Sequence, residues 1–209
     1  KDMKVEDLKL KNYRNHKTLD LEFDPKLTLI VGPNGSGKTN ILEAIHFLST
    51  TKPHRAHYDS DSITLGRSFA RIEGKIHHNG DTEKLELVIS RRENSPNSST
   101  KRVKLNSVAK TLQNFSTNLN TVLFAPEDIE IITDSPSKRR KYIDSILVQV
   151  DIDYKRALSK YTKAVRQRNK VLESIRDYNR GHSQIEYWDE QILEEGRLIQ
   201  KKRTELFDF

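Results

Sequence analysis

The stretch IVGPNGSGKTNILEAI, residues 30–45, limits more than any other what this chain can fold into. Gly32, Gly37, Lys38 and Thr39 satisfy the pattern G-x-x-x-x-G-K-[ST], and Gly35 adds a third glycine inside it. Glycines let backbone N–H groups converge on phosphate oxygens with no Cβ in the way, and a helix opening at Lys38 adds its N-terminal partial charge. The apolar run LTLIV before the loop reads as a strand buried on both faces, and Ile41, Leu42, Ile45 and Leu48 after it fall at helical spacing. Strand, glycine loop and helix together are the context of a phosphate-binding P-loop. Its candidate nucleotide contacts are Gly32, Pro33, Asn34, Gly35, Ser36, Gly37, Lys38, Thr39 and Asn40. Lys38 should reach the β- and γ-phosphates, and the Thr39 hydroxyl should ligate Mg²⁺.

The rest of the first half alternates in the manner of half-buried strands. MKVEDLKLKNY places Val5, Leu8 and Leu10 on one face, and TLDLEF does the same with Leu19, Leu21 and Phe23, across a turn at RNHK. FARIEGKIHH and KLELVISR form a hairpin over the NGD turn at residues 79–81. ENSPNSST, residues 93–100, reads as a polar loop, and KRVKLN and TVLFA as short strands with a short helix between them. The chain has no cysteine, which excludes disulfides and thiolate metal sites and fits a reducing cytoplasm. No apolar run approaches the roughly 18 residues of a membrane span, so no membrane partner is expected.

The character changes near residue 135. Ser135 is a good N-cap and Pro136 suits the first helical position of a helix through SPSKRRKYIDSILVQ. A second helix carries Tyr154, Leu158, Tyr161, Val165, Leu172 and Ile175 on one stripe, interrupted by Arg168, and NRG at residues 179–181 ends it. SQIE, residues 183–186, reads as a capping box for a third helix with Ile185, Trp188, Ile192 and Ile199, antiparallel to the second. The formal charge of +7 is not spread evenly. Of 37 basic and 30 acidic side chains, 13 and 5 fall in residues 137–180, a net of +8, which leaves the remainder at −1. Such clustering suggests a polyanion, nucleic acid first, though a solvated helix surface fits the charge equally.

A P-loop alone does not separate kinases, GTPases and transport-type ATPases. LKNYRNHKTLDLEF before the loop and GPNGSGKTNILEAI at it resemble the N-terminal lobe of ABC-type ATPases of the SMC and RecF kind. LFAPEDIEIITDSPSKRRKYIDSIL, residues 123–147, is similar to the RecF family's F-x-P-E-D-L … S-P-x-x-R-R-x-x-x-D segment. YKRALSKYTKAVRQRNKVL, residues 154–172, is similar to its Y-x-x-x-L-x-x-Y-x-x-x-L-x-Q-R-N helix, with Gln167, Arg168 and Asn169 matching residue for residue. The resemblance covers nearly the whole chain. It implies an α/β fold: a P-loop ABC-type ATPase lobe with a mixed sheet and antiparallel strands over residues 1–134, then the start of an α-helical second lobe over residues 135–209.

The resemblance also implies site residues. The stretch Tyr13, Arg14 and Asn15 corresponds to one that lies near adenine in related ATPases, which makes Arg14 and Asn15 candidate nucleotide contacts, or simply a turn between strands. HRAHYDSDSI matches, at Arg55, Ala56, Asp61 and Ile63, a segment that carries an arginine near the γ-phosphate in SMC relatives. Arg55 is therefore a candidate for neutralising phosphate charge, against the alternative of an exposed loop arginine. Glu127 or Asp128 stands roughly where ABC ATPases place a Mg²⁺-sensing glutamine, and either would act through water on Mg²⁺ or cap a helix. Arg139, Arg140, Lys155, Lys163, Arg166 and Lys170 are candidate contacts to DNA phosphates, which would be sequence-independent. The paired arginines fit a structural role as well.

No catalytic residue is assigned. The LSGGQ-type signature and the apolar strand ending in Asp-Glu do not occur between Lys1 and Phe209, and the family carries both further toward the C-terminus. The chain is thus expected to be an N-terminal part that binds ATP and Mg²⁺ without turning ATP over, with part of its sheet uncovered. The full-length protein is expected to be a slow, DNA-stimulated ATPase that forms an ATP-dependent homodimer and grips duplex DNA or single/double-strand junctions in a bacterial cytoplasm. By resemblance it would help load a recombinase at such gaps, with RecO and RecR as partners. Two other classes share the loop. An SMC-type chromosome-organising ATPase demands a long heptad continuation, and a P-loop small-molecule kinase leaves the basic helices unexplained.

Overall fold

The computed structural model describes residues 3–78, 80–92, 95–129 and 135–207. The chain divides into two compact units, Lys1–Ala125 and Pro126–Phe209. The first is a sheet covered on one face by a helix. Strands β1 (Met3–Tyr13), β2 (His16–Glu22), β3 (Phe69–His78), β4 (Asp81–Arg92), β5 (Ser95–Leu105) and β6 (Val108–Lys110) stand in the order β2-β1-β3-β4-β5-β6. All the described ladders are antiparallel.

The register explains why alternation in the sequence becomes a core. Leu19, Leu10, Ile72, Leu87 and Val103 pair in one row across five strands, and Leu21, Leu8, Gly74, Leu85 and Leu105 form the next row. A one-residue slip in any strand would turn its whole apolar set to water. Leu8, Leu10, Ile72, Ile76, Leu85, Leu87 and Ile89 are fully buried, each worth about 1.5–3 kcal/mol of apolar burial. The helix α1 (Lys38–Thr50) packs Ala44, Phe47 and Leu48 on these rows. Gly74 permits the approach, because a Cβ there would meet Leu48 Cδ2 at 2.8 Å. The outer face carries cross-strand ion pairs: Lys9 with Asp20 (2.8 Å), Lys84 with Glu73 (2.9 Å) and Lys104 with Glu86 (3.5 Å).

Three local expectations are corrected in this unit. Residues 27–31 form no strand, and Leu27, Leu29 and Val31 are 81%, 81% and 77% exposed rather than buried. Residues 121–125 form no strand either, and Val122 and Phe124 are exposed. Both segments are apolar enough for a sheet but join none of the described ladders. Conversely, residues 95–100, read as polar loop, extend β5: Ser99 and Thr100 pair with Arg91 and Ser90. Ladder hydrogen bonds come from the backbone, so a polar stretch next to a formed strand can join it. Between β6 and residue 121 lies the expected short helix, α2 (Leu112–Phe115), capped by Thr111 Oγ1 accepting from the Asn114 N–H.

The second unit holds α3 (Pro136–Val150), α4 (Ile152–Tyr178) and α5 (Ile185–Glu205). Ser135 and Pro136 occupy the expected cap and first positions of α3, but the Ser135 hydroxyl meets Ser137 Oγ at 2.7 Å instead of capping the helix. Asp151 caps α4, accepting from the N–H groups of Asp153 and Tyr154 at 2.9 Å each. Asn179, at φ 52, ends it. The partners of α4 rise along its sequence as those of α5 fall. Asp151 meets Lys202, Lys160 meets Glu195, and Arg168 meets Asp189, so the pair is antiparallel. The expected capping box at Ser183 is absent. Residues His182–Gln184 form a 3₁₀ turn that runs directly into α5, so Gln184 takes the cap position in helical conformation. The core of this unit is Leu147, Tyr154, Ala157 and Ile199, with Leu158 and Tyr161 against it.

Candidate nucleotide site

The loop that opens at Gly32 ends at Gly37, whose φ of 97° starts α1. A non-glycine residue is strained in that conformation. The first turn of α1 carries no acid, so its orphan N–H groups and the helix dipole present uncompensated positive charge. Lys38 Nζ donates to the carbonyls of Gly32 and Pro33, both at 2.7 Å, and so ties the loop's entrance to its exit. Thr39 is exposed.

The β1–β2 turn holds this loop at successive residues. Asn15 Nδ2 donates to Gly35 O at 3.4 Å, and Asn40 Nδ2 donates to Asn15 Oδ1 at 2.8 Å. His16 Nε2 donates to Gly37 O at 3.1 Å. The fit is close enough that a Cβ on Gly37 would lie 2.5 Å from both Asn15 Oδ1 and His16 Nε2. Arg14 adopts φ 52°, uncommon for a residue with a side chain, and is fixed by Arg14 N–H to Ser62 O and by Thr64 Oγ1 to Arg14 O, each 2.8 Å. Asn15 and His16 thus lie against the P-loop, and Arg14 reaches Glu43 of α1.

One residue was not anticipated. Glu43 is 2% exposed, and its carboxylate receives two arginines from different segments: Arg14 Nη2 at Oε2 (3.2 Å) and Arg55 Nε at Oε1 (3.4 Å). The signal in the sequence was the one acid of α1, set between Leu42 and Ala44, but nothing local indicated its partners. The segment bearing Arg55 is anchored at both ends. Lys101 Nζ donates to Thr51 O and pairs with Asp59, both at 2.8 Å, and Arg91 Nη2 donates to Ser60 O at 3.1 Å. Tyr13, buried beside this cluster, has its phenol pushed above the ordinary range by burial.

These residues fit a nucleotide. The acid-free helix start, Lys38, the exposed Thr39 hydroxyl and two arginines gathered by one carboxylate form a basic donor set at a glycine loop. A bound nucleotide with Mg²⁺ would bring a reactive phosphoanhydride to Lys38 and Thr39. Among the described residues, no cluster of three or more His, Asp or Glu forms a metal site by itself. Glu127 and Asp128 lie in a 3₁₀ turn, Pro126–Ile129, assigned to the second unit.

In the second unit, Lys163, Arg166 and Lys170 are exposed, with Arg156 and Lys160, on one side of α4. Lys160 pairs with Glu195 at 2.8 Å and Arg156 with Asp153 at 3.5 Å. Lys155 is half-buried, and Arg139 and Arg140 are exposed at the start of α3. Arg168, the interruption in the apolar stripe, faces α5 and pairs with Asp189. Arg203 binds Asp144 through Nη2 at 2.7 Å and contacts the Tyr154 hydroxyl at 3.0 Å. The Tyr154 hydroxyl donates to Asp144, and burial and this carboxylate push its pKa up to about 12.

A family model described as an AAA domain matches residues 7–207. The chain belongs to the AAA-domain family. Among curated relatives of this AAA-domain chain is the DNA replication and repair protein RecF of Natranaerobius thermophilus, 37% identical over 98% of the chain and 52% of that protein. The RecF of Ligilactobacillus salivarius is 36% identical over 97% of the chain and 52% of that protein. The chain spans about half the length of the curated relatives it matches. A solved structure of the recombination mediator protein RecF with ATP superposes with a TM-score of 0.88, at 32% identity, over 99% of the chain and 54% of that protein. The RecF resemblance read from the motifs therefore holds. An Smc head domain from Pyrococcus furiosus shares the fold at TM-score 0.53 and 22% identity, covering 98% of the chain and 61% of that protein.

Proposed function

We propose that this AAA-domain chain is the nucleotide-binding part of an ATP-dependent DNA-binding protein of replication and recombinational repair. The observation that carries this reading is the P-loop held by the β1–β2 turn at Gly35, Gly37 and Asn40, in a chain that superposes on a RecF structure described with ATP. In this reading residues 32–40 grip the phosphates, Lys38 neutralises the β- and γ-oxygens, Thr39 ligates Mg²⁺, and Arg14, Asn15 and Arg55 complete the nucleotide contacts. Glu127 or Asp128 would reach the metal through water. The helical unit, with its exposed Lys163, Arg166 and Lys170, supplies sequence-independent phosphate contacts. The whole protein would dimerise around ATP, act in the bacterial cytoplasm at single/double-strand junctions with RecO and RecR, and hydrolyse ATP slowly when DNA is bound. Among the described residues no helix is long and apolar enough to cross a membrane.

The test is fluorescence anisotropy of a labelled duplex titrated with the protein in the presence of Mg²⁺ and ATP, ADP or no nucleotide, for wild type and Lys38→Ala. The reading expects ATP to tighten DNA binding of the whole wild-type protein, with little effect on this chain alone, and to leave Lys38→Ala unchanged. DNA binding of the whole wild-type protein that ignores nucleotide would overturn it.

A further inference from the structure

The phosphate loop contains a dipeptide with covalent chemistry of its own. Asn34 is followed by Gly35, and the same pair occurs only once more in the chain, at residues 79 and 80. The side-chain amide carbon of an asparagine can be reached by the backbone nitrogen of the next residue, and their joining gives a small ring, a succinimide. A side chain on that next residue hinders the closure, and glycine has none.

The local structure leaves this reaction open. Asn34 and Gly35 are both exposed. They are the central residues of a turn closed by one long hydrogen bond, from the Ser36 N–H to Pro33 O at 3.3 Å. Gly35 sits at φ 79°, and a Cβ built on it would meet nothing within 4 Å, so there is room for the peptide group to rotate. Among the described residues, neither the Asn34 side chain nor the Gly35 N–H has a hydrogen-bond partner. Gly35 is held through its carbonyl, which accepts from Asn15 Nδ2 at 3.4 Å. The neighbouring asparagines are engaged instead. Asn15 bonds through both ends of its amide, and Asn40 lies inside α1 before the β-branched Ile41.

We propose that Asn34–Gly35 is a site of spontaneous deamidation, reactive in the nucleotide-free protein and protected by a nucleotide gripped in the loop. The Gly35 nitrogen attacks Cγ of Asn34. The N–Cγ bond forms, the Cγ–Nδ2 bond breaks, and the proton of the attacking nitrogen leaves with Nδ2 as ammonia. Water then opens the succinimide at one carbonyl or the other, giving aspartate or isoaspartate, and no oxidant or reductant takes part. Either product sets a carboxylate among the residues that would face phosphate. Isoaspartate also routes the main chain through the former side-chain carbon and so lengthens it between Gly32 and Lys38. A phosphate gripped by the loop would occupy its N–H groups and fix its peptide planes, which blocks ring closure. This protection rests on the reading of the loop as an ATP site; the reaction in the nucleotide-free loop does not.

The experiment ages wild type, Lys38→Ala and Asn34→Gln with and without MgADP, beside a free peptide of residues 30–45. Peptide mass spectrometry reads deamidation at Asn34 and Asn79 separately, and a titration before and after ageing reads MgADP binding. MgADP at about ten times its Kd leaves about a tenth of the protein free, so the wild-type reaction at Asn34 should slow about tenfold. The reaction at Asn79, and that at Asn34 in Lys38→Ala, should ignore MgADP. The binding-competent fraction of nucleotide-free wild type should fall in step with the modified fraction. Asn34→Gln, whose longer side chain closes a ring far more slowly, should bind after ageing as it did when fresh. The proposal is overturned, with the ATP site untouched, if Asn34 stays intact in nucleotide-free wild type while the peptide reacts. It is overturned likewise if Asn34→Gln loses binding as fast as wild type, or if MgADP binds through Lys38 without slowing the reaction. If MgADP binds wild type no better than Lys38→Ala, the ATP reading fails and the protection falls with it.

Discussion

His16 Nε2 donates to the carbonyl of Gly37 at 3.1 Å, so the first residue of β2 holds the residue at which the P-loop becomes a helix. The contact is sequence-distant, and it leaves no room at Gly37 for a side chain. Gly37→Ala should therefore suffer twice. Its φ of 97° is strained for alanine, at about 1–2 kcal/mol, and the new Cβ would press on Asn15 and His16. Those side-chain ends can move, so we expect a folded protein with a lower melting temperature and nucleotide affinity weakened as Asn15 and His16 are pushed off the loop. Thermal unfolding and a nucleotide titration check both parts, and an unchanged melting temperature would count against the strain argument.

Lys38→Ala removes the amino group that joins Gly32 and Pro33 and that would face the phosphates. A charge-assisted contact of this kind is worth about 1.5–3 kcal/mol, so MgATP should bind at least about tenfold more weakly. Calorimetry showing equal affinity for the two forms would place Lys38 outside the site.

Asp151 links the start of α4 to the end of α5, through its cap on Asp153 and Tyr154 and its 2.9 Å ion pair with Lys202. The backbone N–H of Tyr154 is the largest influence holding its carboxyl below the usual range, with Lys202 adding to it. A carboxylate lowered on folding stabilises the fold above its unfolded pKa, near about 3.9, and that contribution is lost as pH falls through the folded value. Asp151→Ala should cost about 1 kcal/mol at neutral pH. The gap between wild type and variant melting temperatures should close in scans taken below about pH 4; a gap that persisted unchanged down to about pH 2 would show that the charge is not what stabilises.

Lys163 and Arg166 stand exposed on the basic side of α4. Reversing both to glutamate should weaken binding to unrelated duplexes alike and flatten the log–log salt dependence, by about 0.9 for each DNA phosphate the variant no longer neutralises. The control is Lys75→Glu with Lys84→Glu, two lysines already paired with Asp7 at 3.2 Å and Glu73 at 2.9 Å. If the control loses as much binding and slope as the α4 variant in anisotropy titrations, α4 has no special role.

Tyr154→Phe deletes the hydroxyl that sits between Asp144 and Arg203 while keeping the buried ring. It should destabilise the helical unit by about 1 kcal/mol, with Arg203 still paired to Asp144. Denaturant unfolding followed by circular dichroism measures it, and a neutral result would mean the ion pair alone fixes these helices.

Much of this was legible because it is written in local spacing. Alternation marked β1 to β4, the 3.6-residue period marked α1, α4 and α5, and the glycine loop before α1 fixed the nucleotide reading. The interruption at Arg168 was visible as an anomaly, but only the antiparallel helix pair supplied Asp189 as its partner. Local spacing also misled. Residues 27–31 are apolar enough for a buried strand, yet a strand exists only where another backbone pairs with it, and burial only where other side chains cover it. Residues 95–100 show the reverse case, a polar stretch drawn into the ladder beside β4.

The sequence by itself determined the candidate phosphate loop, since the order of Gly37, Lys38 and Thr39 after Gly32 is all that the P-loop pattern requires. Tertiary structure decided what surrounds it. Arg14, Glu43 and Arg55 are separated by 29 and 12 positions in the chain and become one cluster only when the β1–β2 turn docks on α1 and the segment after α1 folds back. Charge pairing in a buried site acts over a few ångströms of space and not over sequence distance, which is why the single acid of α1 gave no notice of the two arginines it would hold.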